Sequence, residues 1–240
     1  MPADERPPGA DALTLLSRGD VELEGRLPWS SNATYLVSLC LDGVAGRAVY
    51  KPYRGERDLW DFPDGLFVRE VAAYLLSEAL GWGLVPETVV RDDGPLDGGS
   101  YQRFIEADFE QHYFTLLEDR SHHDALRRVA VFDLVANNAD RKSGHCLVDG
   151  DRRIWAIDHG LCFHVEPKLR TVIWDFAGET IDDRVREDLD RVAREGVPGL
   201  DDLLSGDEHD AVRRRAAAVA GAGRFPDPSP SRRPYPWPLV

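Results

Sequence analysis

The sequence is poor in lysine, cysteine and methionine, and it has no long apolar run. Lys51, Lys142 and Lys168 are the only lysines among 29 basic residues, and Met1 is the sole methionine. Cys40, Cys146 and Cys162 are odd in number and far apart. They read as reduced thiols and give no zinc-ligand spacing. No apolar stretch approaches the roughly 20 residues that span a bilayer, so no transmembrane segment is expected. The opening MPADERPPGADAL lacks the basic and apolar regions of a signal peptide, and the expected location is cytoplasmic. Net positive charge is absent as well, the formal charge being −14 at pH 7. That argues against nucleic-acid binding, which needs a basic face. It also argues against a generally basic membrane-docking surface, though a local basic patch stays open.

What is present fits one two-lobed domain or two small ones: 240 residues, 42% apolar and 30% charged. Residues 1–19 read as a leader, disordered at first, with a possible short helix over 11–18. Alternating runs at 21–27, 34–41 and 47–53 predict an antiparallel meander, with turns at PWSSN and DGVAG. Residues 66–83 predict a helix with Phe67, Val71, Tyr74 and Leu75 on its apolar face. A strand pair follows at 85–91 and 100–105, then a helix at 123–138 with Leu126, Val129, Ala130 and Leu134 inward. HCLV and RRIWAI predict a short hairpin, and 181 to about 220 is helical and charged. Strands first and helices later give an α+β order with two lobes. The divisions are 1–19 leader, 20–106 strand-rich lobe, 107–222 helical lobe and 223–240 Pro-rich tail.

The chemistry concentrates after the helix at 123–138. Asp140 and His145 stand five residues apart in the polar loop Asn137–His145, and a second strand ends in Asp158-His159-Gly160. Phosphoryl transfer needs one carboxylate to orient the attacking hydroxyl. It needs a second carboxylate, with a neutral ligand, to hold a metal against the phosphates. Asp140, Asp158 and His145 match those roles. Alone, this spacing is weak, since Asp-rich loops between helix and strand are common.

Three upstream features add weight by their order. Lys51 ends a strand, and Glu70 sits on the following helix between Phe67 and Tyr74, where a bare carboxylate is costly unless paired. A strand lysine is the partner that a kinase uses for the α- and β-phosphates; Arg69 and Arg57 are the competing partners for Glu70. The turn holding Ser31 and Asn32 contains no GxGxxG or GxxxxGK[ST], yet its backbone amides and hydroxyls could cap phosphates. Asp133 is placed to pair with Arg141 as a structural bridge.

VYKP (Val49–Pro52), Arg69-Glu70, NNADRKSGH (Asn137–His145) and AIDHG (Ala156–Gly160) together resemble the phosphatidylinositol 3- and 4-kinase-like branch of the protein-kinase-like superfamily, over about residues 20 to 180. The chain looks most like an uncharacterised actinobacterial family carrying that domain label. The resemblance implies a bilobal kinase fold with ATP at the interlobe cleft. Lys51 would contact phosphates and Glu70 would hold Lys51. Asp140 would act as base, and His145 and Asp158 would bind Mg2+ or Mn2+. Gln102, Phe104 and Ile105 would lie in the hinge beside adenine. His145 stands where Asn is usual, and imidazole suits softer divalent ions better than magnesium.

The acceptor is open among lipid, small molecule and protein. His164, Lys168 and Arg170 form a small basic cluster after Gly160 that could read an anionic substrate, or could pair with nearby carboxylates. Alternative readings are a nucleotide-binding pseudokinase or scaffold, a kinase-fold enzyme transferring AMP, and a metallohydrolase built on His122, His123, His145 and His159. The last lacks any HExxH pair.

Overall fold

The computed structural model describes residues 9–27, 33–57, 59–229 and 233–239. It divides into two units, Met1–Val71 with Pro86–Ile105, and Ala72–Val85 with Glu106–Val240.

The first unit is a five-stranded antiparallel sheet in the order β1-β2-β3-β5-β4, with one helix packed on it. α1 spans Gly9–Arg18, β1 Asp20–Arg26, β2 Tyr35–Leu41, β3 Val44–Pro52, β4 Thr88–Arg91 and β5 Gly99–Arg103. Alternation along β2 and β3 sends Val37, Leu39, Ala48 and Tyr50 to one face, where Leu15 and Leu16 of α1 and Tyr101 of β5 join them. Tyr50 and Tyr101 stack with ring centres 4.6 Å apart.

Two strands differ from expectation. β3 begins at Val44 rather than 47, because the turn needs only Asp42 and Gly43. Both have positive φ, 51° and 83°, as a two-residue hairpin that follows the strand twist requires. β4 begins at Thr88 rather than 85. Pro86 has no N–H to give a ladder, and its carbonyl instead accepts from Thr88 Oγ1 at 2.7 Å. β5 starts on Gly99 for a steric reason: a Cβ there would meet Lys51 O at 2.3 Å.

α2 (Leu66–Leu80) begins in the first unit and ends in the second. It stops before the expected 83, because Gly81 turns left-handed with φ 72°. Burial runs further round it than a single apolar stripe. Ala72, Ala73 and Leu76 are fully buried, while Phe67 and Leu75 of the expected face are half-buried.

The second unit holds α3 (Tyr113–Leu116), α4 (His123–Ala136), the hairpin β6 (Cys146–Val148) and β7 (Ile154–Ala156), then α5 (Asp183–Glu195) and α6 (Gly206–Ala222). Leu126, Val129 and Ala130 of α4 are buried as expected, with Phe132 and Val135 beside them; Leu134 is half-buried. The charged stretch from 181 is two helices, divided where Gly196 and Gly199 take φ of 77°. Each has its own start. Asp182 accepts from Arg184 N, and Ser205 with Glu208 forms a capping box. Among the described residues no helix is long and apolar enough to cross a membrane.

Candidate active site

In the first unit, Lys51 Nζ donates to Glu70 Oε1. Glu70 is 2% exposed, so it needs a cation, and the structure supplies Lys51. Both ends are fixed by neighbours. Lys51 sits in register with Ser100 on β5. The start of α2 is held by Glu56, which accepts from Gly65 N at 3.0 Å and Phe67 N at 2.6 Å. A carboxylate at a helix N-terminus also answers the helix dipole. Sequence reasoning left Glu56 in an unassigned polar loop.

Gln102 Nε2 donates to Thr88 Oγ1 at 2.9 Å, so its side chain ties β5 to β4. Phe104 lies under the Arg47 guanidinium, 4.6 Å from its ring centre, and Ile105 is buried. Ser31 and Asn32 lie outside the described residues.

In the second unit, α4 ends at Asn137, which is left-handed with φ 54°. Its side chain then organises the segment that follows Gly160. Asn137 Nδ2 donates to the carbonyls of His164 and Glu166, and its Oδ1 accepts from Lys168 N at 2.8 Å. Asn138 does the same for the loop itself, donating to Asp133 Oδ1 and accepting from Asp140 N at 2.9 Å.

Arg141 is the centre of the loop. Its side chain and that of Asp133 are both 0% exposed. Nε and one Nη2 proton go to Asp133, the other Nη2 proton to His159 Nε2 at 2.8 Å, and the Nη1 protons to Ile157 O at 2.8 Å and His145 O at 3.2 Å. All five donors are used. Because a guanidinium only donates, His159 Nε2 accepts, and its proton is on Nδ1. His159 therefore serves as a fixed prop inside the Asp158-His159-Gly160 turn.

Arg141 thus pins the carbonyl of His145 itself and the carbonyl just before Asp158, and the two side chains converge. His145 Nε2 stands 3.2 Å from Asp158 Oδ2. Asp158 has φ 60° and is half-exposed, while His145 is mostly covered. Asp140 pairs with Lys142 Nζ at 2.7 Å. Burial raises the Asp140 carboxyl above its usual range; Lys142 opposes this, Asp158 adds to it, and Arg170 opposes it. In the sequence Lys142 stands out by the scarcity of lysine and by its place in NNADRKSGH, with no role assigned to it. The four histidines of the metallohydrolase reading do not converge: His159 is locked to Arg141, His122 faces Arg152, and His123 bonds Leu117 O.

No family model matches the chain. It is 39% identical to Protein Rv2133c of Mycobacterium tuberculosis, covering 95% of each chain. The chain belongs to the Rv2133c family. Solved structures with the same fold include hydra Fam20 with sugar, 13% identical with a TM-score of 0.55 over 89% of this chain and 87% of that one. The Golgi casein kinase with Mn/ADP bound is 14% identical, TM-score 0.54, over 96% and 80%. The Helicobacter pylori proinflammatory kinase CtkA is 11% identical, TM-score 0.51, over 87% and 94%. These likenesses establish a protein-kinase-like α+β fold.

A divalent ion fits the paired atoms. Two adjacent ligands of an octahedral ion, each about 2.1 Å from it, stand roughly 3.0 Å apart, close to the observed 3.2 Å between His145 Nε2 and Asp158 Oδ2. Among the described residues no group of three or more His, Cys, Asp or Glu gathers as a complete metal cage. Phosphate oxygens and water would have to complete the shell, as is usual for a nucleotide-bound ion. One small cost attends ligation. Lys142 N donates weakly to His145 Nδ1 at 3.4 Å, and a lone pair at Nε2 needs the ring proton on Nδ1.

Proposed function

We propose that the protein is an ATP-dependent phosphotransferase. The observation that carries this reading is the meeting of His145 and Asp158 at 3.2 Å, where Arg141 ties the loop of Asp140 and His145 to the loop of Asp158. Lys51, held by Glu70, binds the α- and β-phosphates. Asp140 accepts the proton of the acceptor hydroxyl as its oxygen bonds to the γ-phosphorus and the bond to ADP breaks. Lys142 works against the burial that raises the Asp140 carboxyl and so favours its ionised form. His145 and Asp158 hold a divalent ion, which supplies charge neutralisation at the phosphates. Imidazole in that pair favours Mn2+ over Mg2+. The kinase with Mn/ADP bound among the fold relatives supports the choice of nucleotide and metal. Gln102, Phe104 and Ile105 border the adenine, and Ser31 and Asn32 cap phosphate. The finer likeness to the phosphatidylinositol-kinase-like branch rests on the nucleotide-handling motifs, which do not fix the acceptor.

The test is thermal unfolding with ATP and either Mn2+ or Mg2+, on the wild type and Asp158→Ala. Ligand at about 100 times its Kd adds about 2.7 kcal/mol, or roughly 5–10 °C for a chain of this size. The expected result is a metal-dependent shift in the wild type that is lost in the variant. Equal shifts in both proteins would remove the assignment.

A further inference from the structure

The Pro-rich segment 233–239 is laid along the loops of the candidate site. Pro234 O accepts from Thr171 N at 2.9 Å and from Trp174 Nε1 at 3.2 Å, and Leu239 O accepts from Ser143 N at 2.8 Å. Pro236 between them is buried, while Tyr235, Trp237 and Leu239 are exposed. Pro238 is exposed as well, and the segment bends at 235, 237 and 238, so it touches the loops at Pro234, Pro236 and Leu239 and lifts away between them. Ser143 is one residue past Lys142, the partner of Asp140. Thr171 is one residue past Arg170, whose charge acts on Asp140.

Two facts argue that the segment is a guest on these loops, not their support. The loops are already fixed from inside. Arg141 uses all five donors, and Arg141 pairs with Thr171 through Arg141 N to Arg170 O at 3.0 Å and Val172 N to Arg141 O at 3.1 Å. The groups that hold the segment are all donors, two backbone N–H and one indole N–H. The segment answers with carbonyls only, and its prolines at 234, 236 and 238 have no N–H to leave unpaired. A chain of any sequence can offer backbone carbonyls to such donors. The Ser143 hydroxyl is buried with no hydrogen-bond partner among the described residues, so the occupant leaves a polar group unused.

We propose that Ser143, Thr171 and Trp174 form the docking track for a polypeptide acceptor recognised through its backbone carbonyls, and that residues 233–239 fill it in cis as an autoinhibitory strap. The acceptor role rests on the phosphotransferase reading; the docking role does not. A tethered strap competes at an effective concentration of about millimolar, so a free peptide at micromolar concentration does not displace it.

The experiment uses the full chain, wild type and Pro236→Asp, which places a charge on the buried face of the strap and leaves the track intact. The probe is a fluorescein-labelled peptide RPYPWPL, read by anisotropy. Amide exchange at Ser143 and Thr171 is followed alongside, and dephosphorylated casein with ATP and Mn2+ serves as acceptor. Expected are peptide binding at least about tenfold tighter to Pro236→Asp than to wild type, faster exchange at both amides, and greater transfer to casein. Adding Trp174→Phe to that variant removes one donor and weakens peptide binding. If Pro236→Asp does not fold, the milder Pro236→Ala, which trims the buried face of the strap and leaves the track intact, is expected to speed exchange at both amides and admit the peptide. Equal peptide binding by wild type and Pro236→Asp, or faster exchange with no peptide binding, overturns the proposal. So does slower transfer to casein by a variant that binds the peptide. Peptide binding that behaves as expected, with no transfer to any acceptor, supports the track and overturns the phosphotransferase reading alone.

Discussion

Replacing Arg141 with methionine is expected to destabilise the second unit severely, and the partners say by how much. Asp133 is fully buried, and without Arg141 it keeps only neutral donors, Asn138 Nδ2 at 3.0 Å and Thr171 Oγ1 at 3.1 Å. Breaking a buried ion pair from one side costs about 3–5 kcal/mol. The carbonyls of His145 and Ile157 and the His159 ring also lose a donor. Each such group costs about 1 kcal/mol or more when left buried. A loss of at least about 5 kcal/mol, against a total stability of some 5–15 kcal/mol, brings the variant close to unfolding.

The double variant Asp133→Leu/Arg141→Met separates two accounts. An isolated buried ion pair can often be replaced by apolar residues at no cost. Here the Ile157 carbonyl, the His159 ring, and the Asn138 and Thr171 donors would still be stranded, while the His145 carbonyl would keep the Ile157 amide at 3.1 Å. The double variant should therefore remain about 2–4 kcal/mol below wild type. Urea unfolding, followed by the fluorescence of Trp155 and Trp174 in the same unit, gives both midpoint and slope. A double variant within about 1 kcal/mol of wild type would refute the claim that Arg141 is a hub.

Further outcomes follow from the same residues. Lys142 lowers the Asp140 carboxyl that burial raises; Lys142→Met should therefore move the acid limb of the kcat/KM profile to higher pH, and an unmoved limb would show that Asp140 is not the titrating base. Because the folded-state pKa of Asp140 is raised, its contribution favours folding at low pH and is lost as pH rises through that pKa. Asp140→Asn should accordingly gain stability relative to wild type with rising pH, read by denaturation at several pH values, and a difference that shrinks would reverse the sign argued here. His145→Asn should shift the metal preference from Mn2+ towards Mg2+, measured as the ratio of nucleotide-dependent melting shifts. Glu70→Gln should weaken nucleotide binding about tenfold by releasing Lys51, seen in a titration of ATP by calorimetry; unchanged affinity would sever the pair from the phosphates.

Much of the frame was legible because burial follows periodicity. The alternation of β2 and β3 and the 3.6-residue pattern of α4 both place the residues that are buried. The pairing of Lys51 with Glu70 was legible for a different reason, since a carboxylate flanked by Phe67 and Tyr74 demands a cation. The bridge from Arg141 to Asp133 could be guessed, but not its reach. The carbonyls of His145 and Ile157 have no side-chain signature, and they become partners only when two loops come together. The sequence places Gln102 in the hinge beside adenine but carries no sign of its amide bonding Thr88, a contact set by strand register. Residues 223–240 were read as an extended tail, because prolines look the same whether they hang in solvent or lie on a surface. What holds 233–239 down is two backbone amides and one indole, and backbone amides are invisible to composition.

The bias towards arginine acquires a physical meaning at Arg141-Lys142. These neighbours meet opposite demands. The interior position must serve a carboxylate, a ring nitrogen and two carbonyls at once, in fixed directions and away from water. A planar fork with five donors can do that, and an ammonium with three cannot. The next position is partly exposed and faces a single carboxylate. There a compact charge on a flexible stem suffices to oppose the burial that raises the Asp140 carboxyl. Exchanging the two residues, Arg141→Lys with Lys142→Arg, keeps the net charge and the local composition. If geometry rather than charge sets this loop, the exchange should cost stability at the first position and acid-limb tuning at the second.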